Sequence, residues 1–374
     1  MIKYFLVLED GKVFQGQTIR DQTHFIEKAG EVVFNTSHSG YEEIATDPSY
    51  LNQIVVMTAP MQGNYGVDDA VWESNRIWIN GFVCLQIQNS RQNSKWTKRL
   101  IENKIPILTE LDTRLLVLHI RNLGTPWGAL VAATDETKAK EKAFHLIEAC
   151  KKNDSDWVWF ASRKEIQEID GDNPQGPKIA VLDFGSKENI LRELKKRCSH
   201  IKIFPSRTNP ELIELYNPDG LMLTNGPGDP SAVLVAPQTV RQFLGRIPIF
   251  GICMGHQILS IALGSSTYKL KFGHRGANHP IQDSILKTIY MSSQNHGYAV
   301  DDKTLPEHIQ VTHRNLNDQT VAGFFSEKLN CLGIQYHPES HPGPHDAVAL
   351  FDFFTQKMIS QKKDISQHDH SRTI

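Results

Sequence analysis

The second half of the chain alternates short apolar runs with amphipathic segments. The run KIAVLDFG, at residues 178–185, has the continuous apolar composition of a strand buried on both faces. The next segment, KENILRELKKR, places Ile190, Leu191 and Leu194 on one face of a helix. The apolar runs HIKIFP, GLMLT and IPIFGI continue this alternation. Such a pattern predicts a mostly parallel sheet with helices on both faces.

The first part of the chain is different. Residues 4–8 and 12–19 flank Asp10-Gly11, a dipeptide that favours a tight hairpin. Further β-rich runs such as EVVFNT and QIVVMTA follow, separated by Gly, Pro and Asn. We therefore predict an α/β protein, in which a β-rich α+β domain at residues 1–151 precedes the alternating domain at residues 178–360.

Two segments lack the composition of a folded domain. Residues 152–177 are polar and end in DGDNPQGP, which suits neither a helix nor a central strand, so we predict a linker. Residues 361–374 contain almost nothing to bury, and we predict a disordered tail.

Composition and charge exclude several classes of function. The 40 Lys and Arg residues nearly balance 42 Asp and Glu residues, so we expect neither a nucleic-acid nor a membrane partner. The N-terminal apolar run Tyr4–Leu8 is too short for a signal-peptide core, and no stretch approaches the ~20 apolar residues of a membrane span. Five cysteines without a C-x-x-C pair indicate reduced thiols. We predict a cytoplasmic protein.

Cys253 lies where the predicted strand IPIFGI ends and the helix HQILSIAL begins. Gly251 and Gly255 remove Cβ atoms that would crowd a sharp turn there, as in a nucleophile elbow. The helix N-terminus favours a thiolate, and its unpaired N–H groups can receive an oxyanion. We therefore expect Cys253 to be a nucleophile and the other four cysteines to be small buried hydrophobes.

A thiolate nucleophile needs a proton carrier. The predicted strand CLGIQY ends in His337-Pro338-Glu339, and residues two apart in an extended segment point to the same side. A lone histidine is more often structural, but a histidine paired with a carboxylate in a chain with an elbow cysteine favours catalysis. The loop TNGPGDP, at residues 224–230, lacks the Lys-Ser/Thr of a phosphate loop and suits a clamp on a carbonyl oxygen opposite the thiol.

The segments FGICMGHQ, TNGPGDP, QNHGYAV and QYHPE together resemble the class I glutamine amidotransferase family. This resemblance implies hydrolysis of glutamine through a cysteinyl thioester, with Cys253 as nucleophile, His337 as general base and acid, and Glu339 orienting the histidine. It also implies an oxyanion hole formed by the N–H groups of Met254 and Gly226. The further glutamine contacts that it implies are Gly228, Gln257, Asn295, Gly297 and Tyr298.

The segments LEDGKVFQG, GEVVFNTSHSGYEEIATDPSYLNQIV, ELDTRLL and KFGHRGANHP resemble the carbamoyl-phosphate synthase small-chain family. This resemblance adds Ser49, in DPSY, to the glutamine site. It implies a large subunit as partner, which receives ammonia and makes carbamoyl phosphate for arginine and pyrimidine synthesis. ATP and Mg are expected in that subunit, and no cofactor is expected in this chain.

Several alternatives remain at this point. The segment at residues 112–130 is more apolar than expected and contains Pro126-Trp127, so the chain could be a specialised copy with an altered partner surface. Another class I amidotransferase would share only the second domain, and a peptidase would not need QNHGY. A catalytically dead scaffold would not keep Cys253, His337 and Glu339. The histidines of HPESHPGPH follow no familiar ligand spacing, so we expect no metal.

Overall fold

A computed structural model of the chain describes residues 2–19, 25–90, 95–152 and 156–370. The chain forms two compact units, the first from Met1–Ser155 with Leu270–Ala277 and the second from Asp156–Lys269 with Asn278–Ile374. Within the described ranges, no helix is both long enough and apolar enough to span a membrane.

The first unit is built on a seven-stranded mixed sheet with the order β2-β1-β9-β3-β4-β6-β8. Strands β1, β2, β9 and β3 pair antiparallel, whereas β3, β4, β6 and β8 pair parallel. The elements of this unit are β1 (Lys3–Leu8), β2 (Val13–Gly16), β3 (Lys28–Asn35), α1 (Tyr41–Thr46), β4 (Gln53–Met57), β5 (Met61–Gln62), β6 (Gly81–Val83), β7 (Gln86–Ile87), α2 (Trp96–Glu102), β8 (Ile107–Leu108), α3 (Thr113–Leu123), β9 (Trp127–Ala133) and α4 (Glu136–Lys152). The β1–β2 hairpin confirms the prediction from Asp10-Gly11, and Gly11 has a positive φ of 84°.

Strand β1 shows how this sheet buries both faces. Leu6 packs in one apolar cluster with Leu116 of helix α3, while Val7 packs in another with Ala143 of helix α4. Successive side chains of a strand point to opposite faces, so helices α3 and α4 cover opposite faces of the sheet. Helix α3 also leaves three leucines exposed: Leu115, Leu118 and Leu123.

The second unit contains a ten-stranded sheet with the order β10-β12-β11-β13-β14-β19-β18-β17-β15-β16. Its elements are α5 (Trp157–Ala161), β10 (Gln167–Asp170), β11 (Lys178–Asp183), α6 (Glu188–Lys195), β12 (His200–Pro205), α7 (Pro210–Tyr216), β13 (Gly220–Leu223), α8 (Ala236–Arg241), β14 (Ile249–Ile252), α9 (Met254–Ala262), β15 (Thr267–Asp283), β16 (Thr288–Val300), β17 (Gln310–Asn315), β18 (Val321–Ser326), β19 (Cys331–Ile334) and α10 (Ala349–His370). Strands β12, β11, β13, β14 and β19 are parallel. These five strands confirm the predicted parallel sheet, whereas β10, β18, β17 and β15 extend it by antiparallel pairing.

Helices cover both faces of this parallel region. Val181 of β11 packs with Leu194 of α6 and Phe351 of α10, whereas Leu182 packs with Ile213 of α7 and Leu259 of α9. The predicted face of helix α6 is buried as expected. The carboxyl ends of the parallel strands therefore meet at one edge between two helical layers, where α/β proteins bind their ligands.

The predicted linker at 152–177 differs from the structure. From Asp156 onward these residues belong to the second unit, where they form α5 and the edge strand β10. Strand β10 pairs antiparallel with β12, and Glu168 lies 2.7 Å from the Lys202 ammonium. An edge strand can expose charged side chains, so polar composition did not exclude a strand.

Two further boundaries differ from the sequence prediction. Residues 361–370, which were predicted as disordered, continue helix α10 to His370, and residues 371–374 lie outside the described part. Apolar side chains such as Phe354 anchor this helix in the core, and each added residue then gains one hydrogen bond. Leu270–Ala277 belongs to the first unit, where the backbone of Thr36 donates to the Arg275 carbonyl at 3.1 Å.

Candidate active site

Cys253 forms the sharp turn between strand β14 and helix α9. Its backbone has a φ of 54° and a ψ of −103°, a strained conformation for a residue with a side chain. The turn is fixed on both sides, because Cys253 N–H donates to Ile334 at 2.8 Å and Gln257 N–H donates to the Cys253 carbonyl at 3.1 Å. The predicted elbow is present, and the thiol lies at the first turn of the helix.

The two glycines beside Cys253 are required by close backbone contacts. A Cβ atom at Gly251 would lie 2.5 Å from the Gly255 carbonyl oxygen, and a Cβ atom at Gly255 would lie 2.2 Å from the Leu223 carbonyl oxygen. Gly255 N–H also donates to the Thr224 carbonyl at 2.9 Å. Helix α9 therefore begins directly against the end of strand β13, and the crowding that the sequence predicted for Cβ atoms at these two glycines is confirmed.

His337 and Glu339 meet beside this turn. The imidazole Nδ1 lies 2.6 Å from Glu339 Oε1, and both side chains are buried. The backbone N–H of His337 donates to the Ser293 carbonyl at 2.9 Å, which fixes the segment after strand β19. The predicted contact across Pro338 is therefore confirmed.

The thiol of Cys253 lies close to this histidine. The Cys253 thiol donates to the Asn295 carbonyl at 3.5 Å, and it is near enough to His337 to contribute to the pKa of the imidazole. His337 Nε2 makes no hydrogen bond of normal geometry among the described residues, so this nitrogen is available for proton transfer. The structure thus brings Cys253, His337 and Glu339 into one buried cluster.

The charges in this cluster act on one another in opposite directions. Burial alone lowers the pKa of His337, but the Glu339 charge, together with hydrogen bonding to Glu339 and Cys253, raises this pKa well above its usual value. Burial alone raises the pKa of Glu339, yet Lys187 and His337 lower it below its usual value. An anionic carboxylate therefore stabilises an imidazolium, which is the proton donor that an acyl transfer requires.

Lys187 is the site residue that the sequence reasoning missed. Its buried ammonium lies 3.1 Å from Glu339 Oε1 and donates to the Ser340 carbonyl at 2.5 Å. Lys187 stands at the N-cap of helix α6, a segment for which only the apolar face was considered from the sequence. Its position just beyond the carboxyl end of strand β11 was the signal that could have identified it.

The segments predicted to contact glutamine lie around the elbow. Gln257 Nε2 donates to the Tyr298 carbonyl at 2.8 Å, and Asn295 accepts from the thiol as described above. Gly226 is so close to Phe184 that a Cβ atom would lie 2.4 Å from its carbonyl oxygen. The residues of the second unit that the resemblance assigns to glutamine are Gly226, Gly228, Met254, Gln257, Asn295, Gly297 and Tyr298, and their contacts with glutamine remain predictions.

Ser49 belongs to the first unit. It lies in the 3-10 helix Pro48–Tyr50, where its N–H donates to the Asp47 carboxylate at 2.9 Å. Its expected contribution to the glutamine site remains a prediction.

Of the four cysteines predicted to be small buried hydrophobes, Cys84, Cys198 and Cys331 are buried, whereas Cys150 is only half-buried and hydrogen-bonds to Asn52. Burial raises the pKa of the thiols of Cys84, Cys198 and Cys331 to about 12. A thiol that stays protonated is a poor nucleophile, so these three cysteines have no catalytic environment.

Comparisons with known proteins identify the family. A class I glutamine amidotransferase model matches residues 180–357, and a model of the carbamoyl-phosphate synthase small-chain domain matches residues 6–130. The carbamoyl phosphate synthase small chain of Chlorobaculum tepidum is 42% identical over 366 residues, covering 96% of this chain and 98% of that protein.

Two further relatives give the same result. The small chain of Aquifex aeolicus is 42% identical over 367 residues, with 94% and 97% of the two chains covered. The small chain of Symbiobacterium thermophilum is 43% identical over 368 residues, with 93% and 96% covered. Both matches include the two units described above, so the chain belongs to the carbamoyl phosphate synthase small chain family.

Proposed function

We propose that this chain hydrolyses L-glutamine to glutamate and ammonia, as the glutamine-hydrolysing subunit of a carbamoyl phosphate synthase. The observation that carries this proposal is the buried cluster of Cys253, His337 and Glu339 at the strand-to-helix turn. Its geometry supports a nucleophile, a proton carrier and an orienting carboxylate in one reaction.

The first half of the reaction acylates Cys253. The thiolate attacks the carboxamide carbon of glutamine, and a C–S bond forms while the carbonyl electrons move to oxygen. The resulting oxyanion would accept hydrogen bonds from the N–H groups of Met254 and Gly226. As the carbonyl re-forms, the C–N bond breaks and the His337 imidazolium gives its proton to the leaving nitrogen, which departs as ammonia.

The second half hydrolyses the thioester. Neutral His337 takes a proton from water, and the hydroxide attacks the thioester carbon. Collapse of this intermediate breaks the C–S bond and restores the thiolate and the imidazolium. Glutamic acid leaves and loses its new carboxyl proton to solvent. The sum is glutamine plus water to glutamate, ammonia and one proton.

The proposed partner is a large subunit that consumes the ammonia. Ammonia becomes unreactive when it is protonated, so direct transfer between subunits is more effective than release to water. We expect ATP, Mg and bicarbonate to be used on the large subunit, and carbamoyl phosphate to serve arginine and pyrimidine synthesis. The exposed leucines of helix α3, Leu115, Leu118 and Leu123, support a partner contact at this segment.

Comparison of two nitrogen sources tests the proposal. The chain is purified with its large partner, and carbamoyl phosphate synthesis is measured with glutamine and with ammonia for the wild type and Cys253→Ser. We expect the variant to lose at least ~10³-fold with glutamine and to retain the ammonia-dependent rate, because only the first route needs the thiolate.

The control for this experiment is Cys150→Ser. Cys150 donates to Asn52 Oδ1 at 3.1 Å in the first unit, and a serine hydroxyl can keep that bond, so we expect both rates to be retained. Undiminished glutamine use by Cys253→Ser would exclude Cys253 as the nucleophile. Equal loss of both rates would instead show that Cys253 has a structural role.

A further inference from the structure

A second pair of facing side chains lies next to the catalytic pair. Gln257 follows Cys253 by four residues, one helical turn along α9, and Gln335, the first residue after β19, precedes His337 by two residues. Helix and strand side chains with these spacings point in the same direction. Gln257 therefore meets Gln335 as Cys253 meets His337, and Gln257 Nε2 donates to Gln335 Oε1 at 3.0 Å.

The hydrogen bonds of Gln257 fix the orientation of its amide group. Gln257 Nε2 donates to the backbone carbonyl of Tyr298 at 2.8 Å and to Gln335 at 3.0 Å. A backbone carbonyl can only accept, so the amide cannot be flipped, and both of its N–H groups are used. No described residue donates to Gln257 Oε1, which leaves this oxygen as an acceptor.

The buried position of Gln335 is energetically unfavourable for an amide side chain that serves only to pack the core. Its side chain is only 1% exposed, and its Nε2 has no hydrogen-bond partner among the described residues. An unpaired buried donor reduces the stability of the fold, and an apolar side chain of similar size would avoid that loss. Residues that lower stability in this way are concentrated at functional sites.

We propose that Gln335 is a positioning residue for substrate recognition, which orients Gln257 so that Gln257 Oε1 accepts a hydrogen bond from the α-ammonium of glutamine. One helical turn separates Gln257 from the nucleophile, a rise of about 6 Å. This rise is comparable to the reach of the four bonds between the carboxamide carbon of glutamine and its α-nitrogen. The inference rests on the proposed glutaminase function and adds to it a residue that does not touch the substrate.

Steady-state kinetics of Gln335 variants test this proposal in the complex with the large subunit. Glutamate release is measured for the wild type, Gln335→Leu and Gln335→Glu. Gln335→Leu removes the acceptor, so we expect KM for glutamine to rise at least tenfold while kcat stays within threefold. Gln335→Glu keeps an acceptor at the same reach, so we expect its KM to remain within threefold of the wild type.

Protection of Cys253 from alkylation measures how far glutamine occupies the site, as bound substrate or as thioester. Labelled iodoacetamide modifies the thiol, peptide mapping identifies Cys253, and glutamine is added to protect it. We expect Gln335→Leu to require at least ten times more glutamine for half-protection and to be alkylated at the wild-type rate without glutamine. The inhibition constant of glutaramate, which is glutamine without its α-ammonium, should be the same in both proteins.

Gln62→Leu is the matched control. Gln62 is a buried amide of the first unit that donates to Ala59 at 3.0 Å and also has an unpaired atom, its Oε1. We expect this variant to leave KM unchanged. Should Gln335→Leu fail to fold, Gln335→Met removes the same acceptor with a more flexible side chain and carries the same expectations.

The outcomes separate this inference from the proposed function. A wild-type complex that releases no glutamate from glutamine would contradict the proposed function itself. If the wild type is active but Gln335→Leu has an unchanged KM, the positioning role is overturned. The same holds if Gln335→Leu loses only kcat. A KM increase of the same size in Gln62→Leu would also overturn it, because both variants would then act by loosening the fold.

Discussion

The charges behind the thiol alternate in sign along three residues: Lys187, Glu339 and His337. The Lys187 ammonium lies 3.1 Å from Glu339 Oε1, and the same oxygen lies 2.6 Å from His337 Nδ1. Lys187 lowers the pKa of both partners, while Glu339 raises that of His337. The carboxylate thus balances a fixed cation against an imidazole that must gain and lose a proton during each turnover.

Removal of the Glu339 charge should shift the pH dependence of the reaction. In Glu339→Gln, His337 loses the charge that raises its pKa and keeps Lys187, which lowers it, so its pKa falls. The His337 imidazolium, which protonates the leaving nitrogen, then loses its proton at lower pH. We expect the alkaline limb of kcat/KM for glutamine hydrolysis to move to lower pH by at least ~1 unit. At pH values above the shifted limb, kcat/KM should be at least ~10-fold lower than in the wild type.

Glu339→Asp is the control for this shift. Aspartate keeps the negative charge on a shorter side chain, so its alkaline limb should lie closer to that of the wild type. The profiles are measured from pH 6 to 10 by glutamate release. An alkaline limb that does not move in Glu339→Gln would show that the carboxylate does not control the proton affinity of His337.

At the scale of the elements, the site depends on how closely helix α9 approaches strand β13. A Cβ atom at Gly255 would lie 2.2 Å from the Leu223 carbonyl, which belongs to rigid backbone. Gly255→Ala should therefore push the helix away from the sheet. We expect the free energy of unfolding to fall by about 2 kcal/mol and kcat to fall about 100-fold, as the thiol moves relative to His337.

Gly264→Ala is the matched control at the other end of the same helix. A Cβ atom there has open space around it, and only the positive φ of 93° opposes the substitution. We expect about 1 kcal/mol of destabilisation and an unchanged kcat. Urea denaturation and glutamate release measure the two quantities. If Gly255→Ala retained the wild-type kcat, the close approach of α9 would not be needed for catalysis.

The sequence was most informative where local chemistry decides the structure. Glycines two residues on either side of Cys253 predicted the elbow, and the i, i+2 spacing predicted the contact between His337 and Glu339. Lys187 was missed because its burial results from the packing of helix α6 against the segment after strand β19, which local sequence does not show. Gln335 was missed for the same reason, since its partner Gln257 is 78 positions away.

At the scale of the whole molecule, boundaries were harder to predict than the turn at Cys253. The sequence predicted two domains, but strand β10 lies within the predicted linker and helix α10 extends into the predicted tail. Leu270–Ala277, in the middle of the long strand β15, belongs to the first unit although the rest of that strand belongs to the second. Long-range pairing decides each of these features, and composition within a short window cannot report it.

The buried charges also make the stability of the whole chain depend on pH. The pKa of Glu339 is lowered on folding, so its contribution is present above its usual value of 4.5 and is lost as pH falls below it. The pKa of His337 is raised on folding, so its contribution is complete below 6.5 and is lost as pH rises toward the folded value. The cluster therefore stabilises the fold most between pH 4.5 and 6.5.

Paired substitutions test whether this cluster acts as one unit. Glu339→Gln leaves the Lys187 cation buried without its carboxylate and should lower the free energy of unfolding by about 3–5 kcal/mol at pH 5.5. Lys187→Met should cost less, because His337 still faces Glu339. The double variant removes both charges, so we expect it to be more stable than Glu339→Gln alone, whereas independent residues would give the sum of the two losses. Urea denaturation from pH 3 to 8 measures these free energies. The difference in free energy of unfolding between wild type and Glu339→Gln should shrink below pH 4.5 and above pH 6.5. A pH-independent difference, or a double variant with additive losses, would contradict the coupling of these three residues.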